Sequence, residues 1–293
     1  MEWEQKEHAE EYLLFPENIG KHLSIDELAL SRGELYTFIT NKDGHGKKGT
    51  LVASIKGTQS RKIISVLERI SLSKRCEVEE ITLDMAANME AAARQIFPCA
   101  NLVTDRFHVV KLAVDALQHI RIKYRWEELD KENQAIALCK QQKIQYKAVR
   151  LINGDTAKQL LARCRYIIAK KPNEWTYSQE LRAKLLFDQY PIIEKAYKHI
   201  LEFRSIYETR DQTIAEFMFK DWIDKTHELK IKEFNTVANT VQYNLDNILN
   251  FFINRSTNAN AESFNSKIKL FRANQRGVTD HKFFLFRLKN LFA

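Results

Sequence analysis

Two different spacings of hydrophobic residues divide the chain, and the change falls near residue 110. Before it, short runs rich in β-branched and aromatic residues are separated by polar turn residues, a pattern typical of β-strands. Beyond it, apolar residues recur every three or four positions, as on one face of a helix. The pattern therefore predicts a part that contains a sheet, followed by an all-helical part.

The predicted elements have a defined order. The first strand begins at residue 22 and ends at Asp26, and the other strands cover 34–40, 50–55, 78–83 and 101–103. Helices are predicted over 58–70, 85–97, 109–129, twice within 140–170, over 178–207 with a break at Pro191, and over 211–226, 229–252 and 258–270. The opening order β-β-β-α-β-α-β, with three antiparallel strands entering a mixed sheet, is that of the ribonuclease H-like α/β fold.

The clearest local unit covers residues 78–110. Its first strand ends at Asp84, a run of good helix formers follows as far as Pro98, and a second strand ends at Asp105. Two strands joined by a helix of this length form a right-handed parallel βαβ unit. Asp84 and Asp105 therefore stand at the carboxyl ends of strands, where parallel sheets carry their functional groups.

Composition narrows the class of partner. Lys and Arg number 46 against 38 Asp and Glu, a net charge of +8, which favours a polyanionic partner. Only 8 Gly and 4 Pro favour long helices. The four cysteines are scattered without metal-ligand spacing, and neither a signal peptide nor a membrane-length apolar run is visible. We expect reduced thiols, no membrane partner, and a cytoplasmic, nucleoid-associated protein.

A late helix adds a third acid. Glu262, Asn265, Lys269 and Arg272 recur at i, i+3, i+7 and i+10 and share one helix face. Such a face suits a metal and phosphate site, although periodicity alone favours a solvated face with ion pairs.

The carboxylates of Asp26, Asp84 and Glu262 can meet at one edge of the sheet, since the first and fourth predicted strands are neighbours in the ribonuclease H-like arrangement. Carboxylates that close repel unless divalent cations lie between them. Two Mg²⁺ ions about 4 Å apart can activate a water or a 3′-hydroxyl and stabilise the leaving oxygen. Spacing alone is a weak argument, because a chain with 38 acids yields many triplets and strand-end acids are usually turn residues.

Two segments carry a family resemblance: DMAANMEAAARQIFPCANLVTDRFHVVK at 84–111 and NANAESFNSKIKLFR at 258–272. Over residues 22–293 the chain resembles DDE-type insertion-sequence transposases, most closely the bacterial ISL-three family. The resemblance implies a ribonuclease H-like mixed sheet with a large helical insertion before the last catalytic acid. It implies Asp26, Asp84 and Glu262 as catalytic triad and ligands of two Mg²⁺ or Mn²⁺ ions. Asp105 and His108 become a D-x-x-H signature adjacent to the active site, with His108 not a metal ligand.

The resemblance also implies partners and boundaries. The expected partners are double-stranded DNA, as transposon ends and target, and further copies of the chain in a homodimer or higher synaptic complex. The expected DNA-binding residues are Arg106, Asn258, Asn265, Lys267, Lys269, Arg272 and Arg276. The expected organisation is an N-terminal linker over 1–20, the first part of the core over 21–110, a helical insertion over 111–255, and final helices with a basic tail over 256–293.

Departures from the family pattern keep alternatives open. Relatives begin with a zinc-binding segment and a helix-turn-helix, and no Cys/His cluster precedes Asp26, so a separate DNA-binding protein is a candidate reader of the ends. Relatives often have a Gly near the last acid, which leaves the helix register open. Asp105 competes with Asp84 as second catalytic acid, His108 can be a core histidine, and Arg106 can pair with an acid. The alternative functions are a non-catalytic DNA-binding relic and a ribonuclease H-like nuclease.

Overall fold

The computed structural model describes residues 3–31, 33–275 and 280–293. The chain divides into two compact units, one made of Met1–Val109 with Asn244–Ala293 and the other of Val110–Tyr243. No helix within the described ranges combines the length and apolar character that crossing a membrane requires.

The first unit is built on a mixed sheet that has six strands in the described ranges, in the spatial order β1-β4-β3-β2-β5-β6. The strands are β1 (Tyr12–Leu14), β2 (His22–Ser31), β3 (Glu34–Asn41), β4 (Leu51–Lys56), β5 (Glu80–Leu83) and β6 (Asn101–Thr104). β1, β4, β3 and β2 pair antiparallel, while β5 lies parallel to both β2 and β6. This topology confirms the predicted α/β class and its ribonuclease H-like strand order. It also confirms that β5, which precedes Asp84, lies next to β2, which carries Asp26.

The prediction of a linker over residues 1–20 is wrong for part of that stretch. β1 adds a strand to the edge of the sheet, with Tyr12 opposite Ile55 on β4. Leu13 and Phe15 are buried, and the Leu14 N–H donates to the Gln5 side chain. A three-residue strand among charged residues is too short to show an alternating pattern, which is why the sequence conceals it.

Helices cover both faces of this sheet. They are α1 (Ser60–Leu67), α2 (Leu72–Arg75), α3 (Ala87–Ile96), α10 (Leu245–Leu249), α11 (Phe251–Asn254), α12 (Ala259–Asn274) and α13 (His281–Phe292). One apolar cluster joins the sheet to α1 and α3 through residues such as Ile25, Ile39 and Ile63. A second cluster joins the opposite face to α12 and α13 through residues such as Leu28, Phe38, Phe264, Ile268 and Phe284. Because side chains alternate along a strand, Asp26 shares the face of Leu28, towards α12.

The second unit is all-helical in its described residues. Its helices are α4 (Arg106–Gln141, whose first turn belongs to the first unit), α5 (Ala157–Arg163), α6 (Tyr177–Gln189), α7 (Pro191–Ile206), α8 (Gln212–Leu229) and α9 (Lys232–Tyr243). Its core is aromatic, with Phe203, Phe219, Trp222 and Phe234 buried.

Three helix predictions need correction. α4 runs to Gln141 and not to 129, and within 140–170 only α5 forms in the described residues. The predicted helix over 229–252 is broken, because Lys230 adopts a left-handed conformation after α8 and Asn244 separates α9 from α10. Residues 244–255, which the sequence assigned to the insertion, belong to the unit that contains the sheet. Apolar periodicity continues across these breaks, so it does not reveal them.

Candidate active site

Asp26 lies in the middle of β2, and the prediction that it ends a strand is wrong. β2 pairs with β5 only over His22–Ser24, whereas its hairpin with β3 continues and sets Asp26 opposite Phe38. β5 ends at Leu83, one residue before Asp84. Asp26 and Asp84 thus both stand just beyond the short parallel ladder, where the sheet opens between the two strands.

Backbone and amide donors fix both carboxylates. The Asp26 Oδ1 accepts the Glu27 N–H at 2.8 Å, and its Oδ2 accepts the Asn265 Nδ2 at 2.7 Å. The Asp84 Oδ1 accepts the Ala86 N–H at 3.0 Å, just before α3 begins. Asn265 comes from α12, so this helix is attached directly to the acid on β2.

The electrostatics of Asp26 reflect a crowded acidic site. Burial raises the pKa of the Asp26 carboxyl above its ordinary value, and the negative charges of Asp84 and Glu262 add to the rise. The Glu27 N–H and the nearby His108 oppose it. Asp84, just after β5, and Glu262, on α12, therefore lie close enough to Asp26 to affect its ionisation.

Asp105 and His108 occupy the junction between β6 and α4. The Asp105 N–H donates to the Leu83 carbonyl at 2.9 Å, and its Oδ1 accepts the Asn258 N–H at 3.3 Å. Asp105 is 2 % exposed, and its Oδ2 is buried without a hydrogen-bond partner. The His108 Nε2 lies 4.0 Å from that oxygen.

One group of three possible cation ligands is found in the described part of the chain, and it consists of Asp105, His108 and Glu262. A ligand atom from each lies within 4.8 Å of the other two. Asp26, Asp84 and Glu262, the predicted triad, do not form such a tight group among the described residues. Glu262 is exposed in the first turn of α12 and faces both sets of acids.

Residues 23–288, nearly the whole chain, match a family of transposases designated DDE ISL3. The chain belongs to the ISL3 family of DDE transposases. This confirms the resemblance carried by residues 84–111 and 258–272. The transposase for insertion sequence element IS1001 of Bordetella parapertussis is 19 % identical over 273 residues, which cover 93 % of this chain and 61 % of that relative. The chain therefore spans about three fifths of this relative's length. No solved structure matches it.

Helix α12, which carries Glu262, the third acid of the predicted triad, is placed by its apolar face. Phe264 and Ile268, four residues apart on one face of the helix, are buried against the sheet. Asn258, just before the helix, is 1 % exposed, and both polar atoms of its side chain are without a partner. Asn265 lies three residues after Glu262, on the same face of the helix, and its amide contacts Asp26.

Most residues predicted to bind DNA contact the protein itself. Besides Asn265, the Lys267 Nζ donates to the Gly46 carbonyl at 2.8 Å, and the Arg272 Nη1 donates to the Ala29 carbonyl at 3.1 Å. Lys269 and Arg106 are exposed, and the Arg106 guanidinium lies 5.7 Å from the Phe251 ring centre. Arg276 lies outside the described residues. DNA contact by any of the seven stays a prediction.

A buried ion pair that the sequence did not predict lies beside the site. The Lys42 Nζ lies 3.1 Å from the Glu80 Oε1, and both side chains are buried. Glu80 also accepts the Asn254 Nδ2 at 3.2 Å, and the Asn260 Nδ2 donates to the Lys42 carbonyl at 3.4 Å. Burial lowers the pKa of the Lys42 ammonium, while the charges of Glu80 and Asp105 oppose that effect. An acid within a buried strand, such as Glu80, indicates that a basic partner is needed. The sequence does not identify that partner, because Lys42 lies 38 residues away along the chain.

Proposed function

We propose that this chain is the catalytic part of a DNA transposase that cleaves DNA at transposon ends and transfers the strands to a target, with divalent metal ions. The observation that carries the proposal is the convergence of three acids: Asp26 on β2, held by Asn265 of α12, Asp84 just after β5, and Glu262 on α12. Burial first, and then the charges of Asp84 and Glu262, raise the pKa of Asp26. Membership of a transposase family supports the same chemistry.

The donors present suit hard cations. Asp26 and Asp84 would hold two Mg²⁺ or Mn²⁺ ions, and Glu262 would complete one site, since carboxylate oxygens are the ligands these ions prefer. Such ions activate a water or a 3′-hydroxyl and stabilise the leaving oxygen. The chain itself orients the ligands: Asn265 holds one Asp26 oxygen and the Ala86 N–H holds one Asp84 oxygen. The exposed Glu262 leaves the site open to a phosphodiester.

The proposal is tested with the purified chain, Mg²⁺ and DNA that carries the ends of its element. We expect cleavage and joining at the ends, with Asp84→Asn lowering the rate by on the order of a hundredfold or more while DNA binding persists. Asp115→Asn, an exposed acid on α4, is the matched control and should cut normally.

Each failure of this test has a definite meaning. DNA binding without any Mg²⁺-dependent nicking would show a non-catalytic relic, and equal cutting of DNA without ends would show a nuclease. Full activity of Asp84→Asn together with loss in Asp105→Asn would move the second catalytic acid to Asp105.

The proposal extends to assembly and place of action. A homodimer or higher synaptic complex would hold two ends together, and a separate DNA-binding protein is a candidate for their recognition. The site of action would be the nucleoid. Sedimentation of the chain with and without end DNA tests the assembly, and a monomer under both conditions would contradict it.

A further inference from the structure

The carboxylate of Asp105 lacks the partners that its burial demands. Only its Oδ1 is hydrogen-bonded, by a 3.3 Å contact with the Asn258 N–H, while its Oδ2 is buried and unpartnered. A buried charged oxygen without a donor or counter-charge is costly, and native proteins almost always provide one. The same corner holds the unpartnered amide of Asn258. Something that binds carboxylate oxygen belongs there.

The neighbouring basic side chains do not contact this oxygen closely. The His108 Nε2 is 4.0 Å from it, beyond hydrogen-bond distance. The charge of Asp105 affects Lys42, but the Lys42 ammonium group is paired with Glu80 at 3.1 Å.

The surrounding groups have the arrangement of a cation site. Asp105 and His108 are three residues apart at the start of α4, and Glu262 approaches from α12. Their ligand atoms lie within 4.8 Å of one another, and opposite ligands of an octahedral ion with bonds of about 2.1 Å are roughly 4.2 Å apart. A small inward movement of the exposed Glu262 would suffice to close the set.

We propose that Asp105, His108 and Glu262 form a binding site for a first-row transition-metal dication, separate from the pair of ions assigned to Asp26 and Asp84. The imidazole nitrogen decides the class of ion, because Mg²⁺ favours oxygen ligands alone whereas manganese, iron and zinc accept mixed nitrogen and oxygen sets. The proposal replaces the sequence-based expectation that His108 is not a ligand. It shares Glu262 with the proposed active site but does not require that the protein cut DNA.

Mn²⁺ added to the full chain without DNA is the direct probe. Pulsed electron paramagnetic resonance should detect coupling of bound Mn²⁺ to a histidine nitrogen. His108→Asn should abolish that coupling and weaken the affinity for Mn²⁺, measured by calorimetry, by about tenfold or more. His119→Asn, an exposed histidine on the same helix, is the matched control and should retain both signals.

Further variants separate this site from the proposed catalytic ions. The double variant Asp26→Asn/Asp84→Asn should keep the nitrogen coupling even though it removes the other set of ligands. Glu262→Gln, at an exposed position, should fold normally and, when added to Asp26→Asn/Asp84→Asn, should weaken the remaining Mn²⁺ binding, which provides a second test if His108→Asn is unstable. The proposal is overturned by wild-type Mn²⁺ that shows no nitrogen coupling, by coupling that survives in folded His108→Asn, or by Mg²⁺ that displaces the coupled Mn²⁺ at equal concentration.

Discussion

At the scale of single residues, Asp26 shows how a proposed catalytic position opposes stability. Its pKa is raised, first by burial and then by the charges of Asp84 and Glu262. The folded state therefore keeps this proton to higher pH than the unfolded state does. Its contribution to stability is fully present below the unfolded pKa and is lost as pH rises through the folded pKa.

We expect Asp26→Asn to raise the free energy of unfolding at pH 7 by about 1 kcal/mol in metal-free buffer, because it removes a crowded charge. The gain should vanish at acid pH, where the wild-type carboxyl is protonated. Denaturant unfolding at several pH values measures it, with the exposed Asp115→Asn as control. A loss of stability at pH 7 would contradict the argument.

His199 provides a second residue whose ionisation is set by burial. Its ring stacks on Trp222 at 4.5 Å and contacts the Thr226 hydroxyl at 2.6 Å. Burial, assisted by Lys225, lowers the pKa of His199 to about 4. Glu202 lies 3.8 Å from the Nδ1, but this carboxylate is mostly solvated and its effect is screened.

Because the folded pKa of His199 is lowered, its stabilising effect is present above pH 6.5 and is lost as pH falls towards 4, by roughly 3 kcal/mol in total. We expect His199→Gln to flatten this part of the stability curve. Chemical unfolding between pH 7 and pH 4 measures the difference, and His119→Gln is the exposed control. An unchanged pH dependence in His199→Gln would refute the assignment.

At the scale of elements, sequence patterns located five of the six strands in the described residues and the helix that carries Glu262, but misplaced several ends. Asp84 and Asp105 follow strands as predicted, since β5 and β6 are short, buried runs bounded by turn residues. The predicted end of β2 was wrong because the strand continues by pairing with β3. The pattern of residues within one strand holds no information about such pairing. The contacts of Arg272 and Lys267 with backbone carbonyls could not be predicted either. The polar face of a helix has the same sequence pattern whether its side chains bind water or a backbone carbonyl.

The ion pair of Lys42 and Glu80 attaches the segment before α12 to the sheet. Glu80→Gln should lower the free energy of unfolding by about 3 kcal/mol, because it leaves a buried ammonium without its counter-charge. Glu79→Gln, at the adjacent residue, removes an exposed pair with Lys21 and should change little. Thermal and denaturant unfolding compare the two variants. Equal stability of the Glu80 variant and wild type would show that the pair does not hold this segment.

At the scale of the whole molecule, the net charge of +8 favours a polyanionic partner, which in the proposed function is DNA. We expect the affinity for DNA to fall about tenfold or more between roughly 50 and 200 mM salt, because bound phosphates release counterions. Lys269→Gln should reduce the slope of log affinity against log salt by about 1, since Lys269 is exposed. Arg272→Gln, which removes contacts with β2, should lower stability and leave the slope unchanged. Affinity that is insensitive to salt would argue against phosphate binding.

The overall topology was predictable because the order of strands and helices restricts a mixed sheet to few arrangements. The division into two units was harder to predict, since the helices on either side of Tyr243 have the same apolar period. Strand β1 was not predictable, because its role depends on β4 and the charged residues around it dominate the pattern.

Strand β1 has a practical consequence for anyone who shortens the protein. It covers β4, whose Leu51, Val52 and Ala53 are buried, and the Phe15 N–H donates to the Val52 carbonyl at 2.8 Å. A fragment trimmed to the family match at residues 23–288 would leave the β4 edge open to another chain. Such a fragment should aggregate on concentration, whereas the chain with its first twenty residues should remain monodisperse.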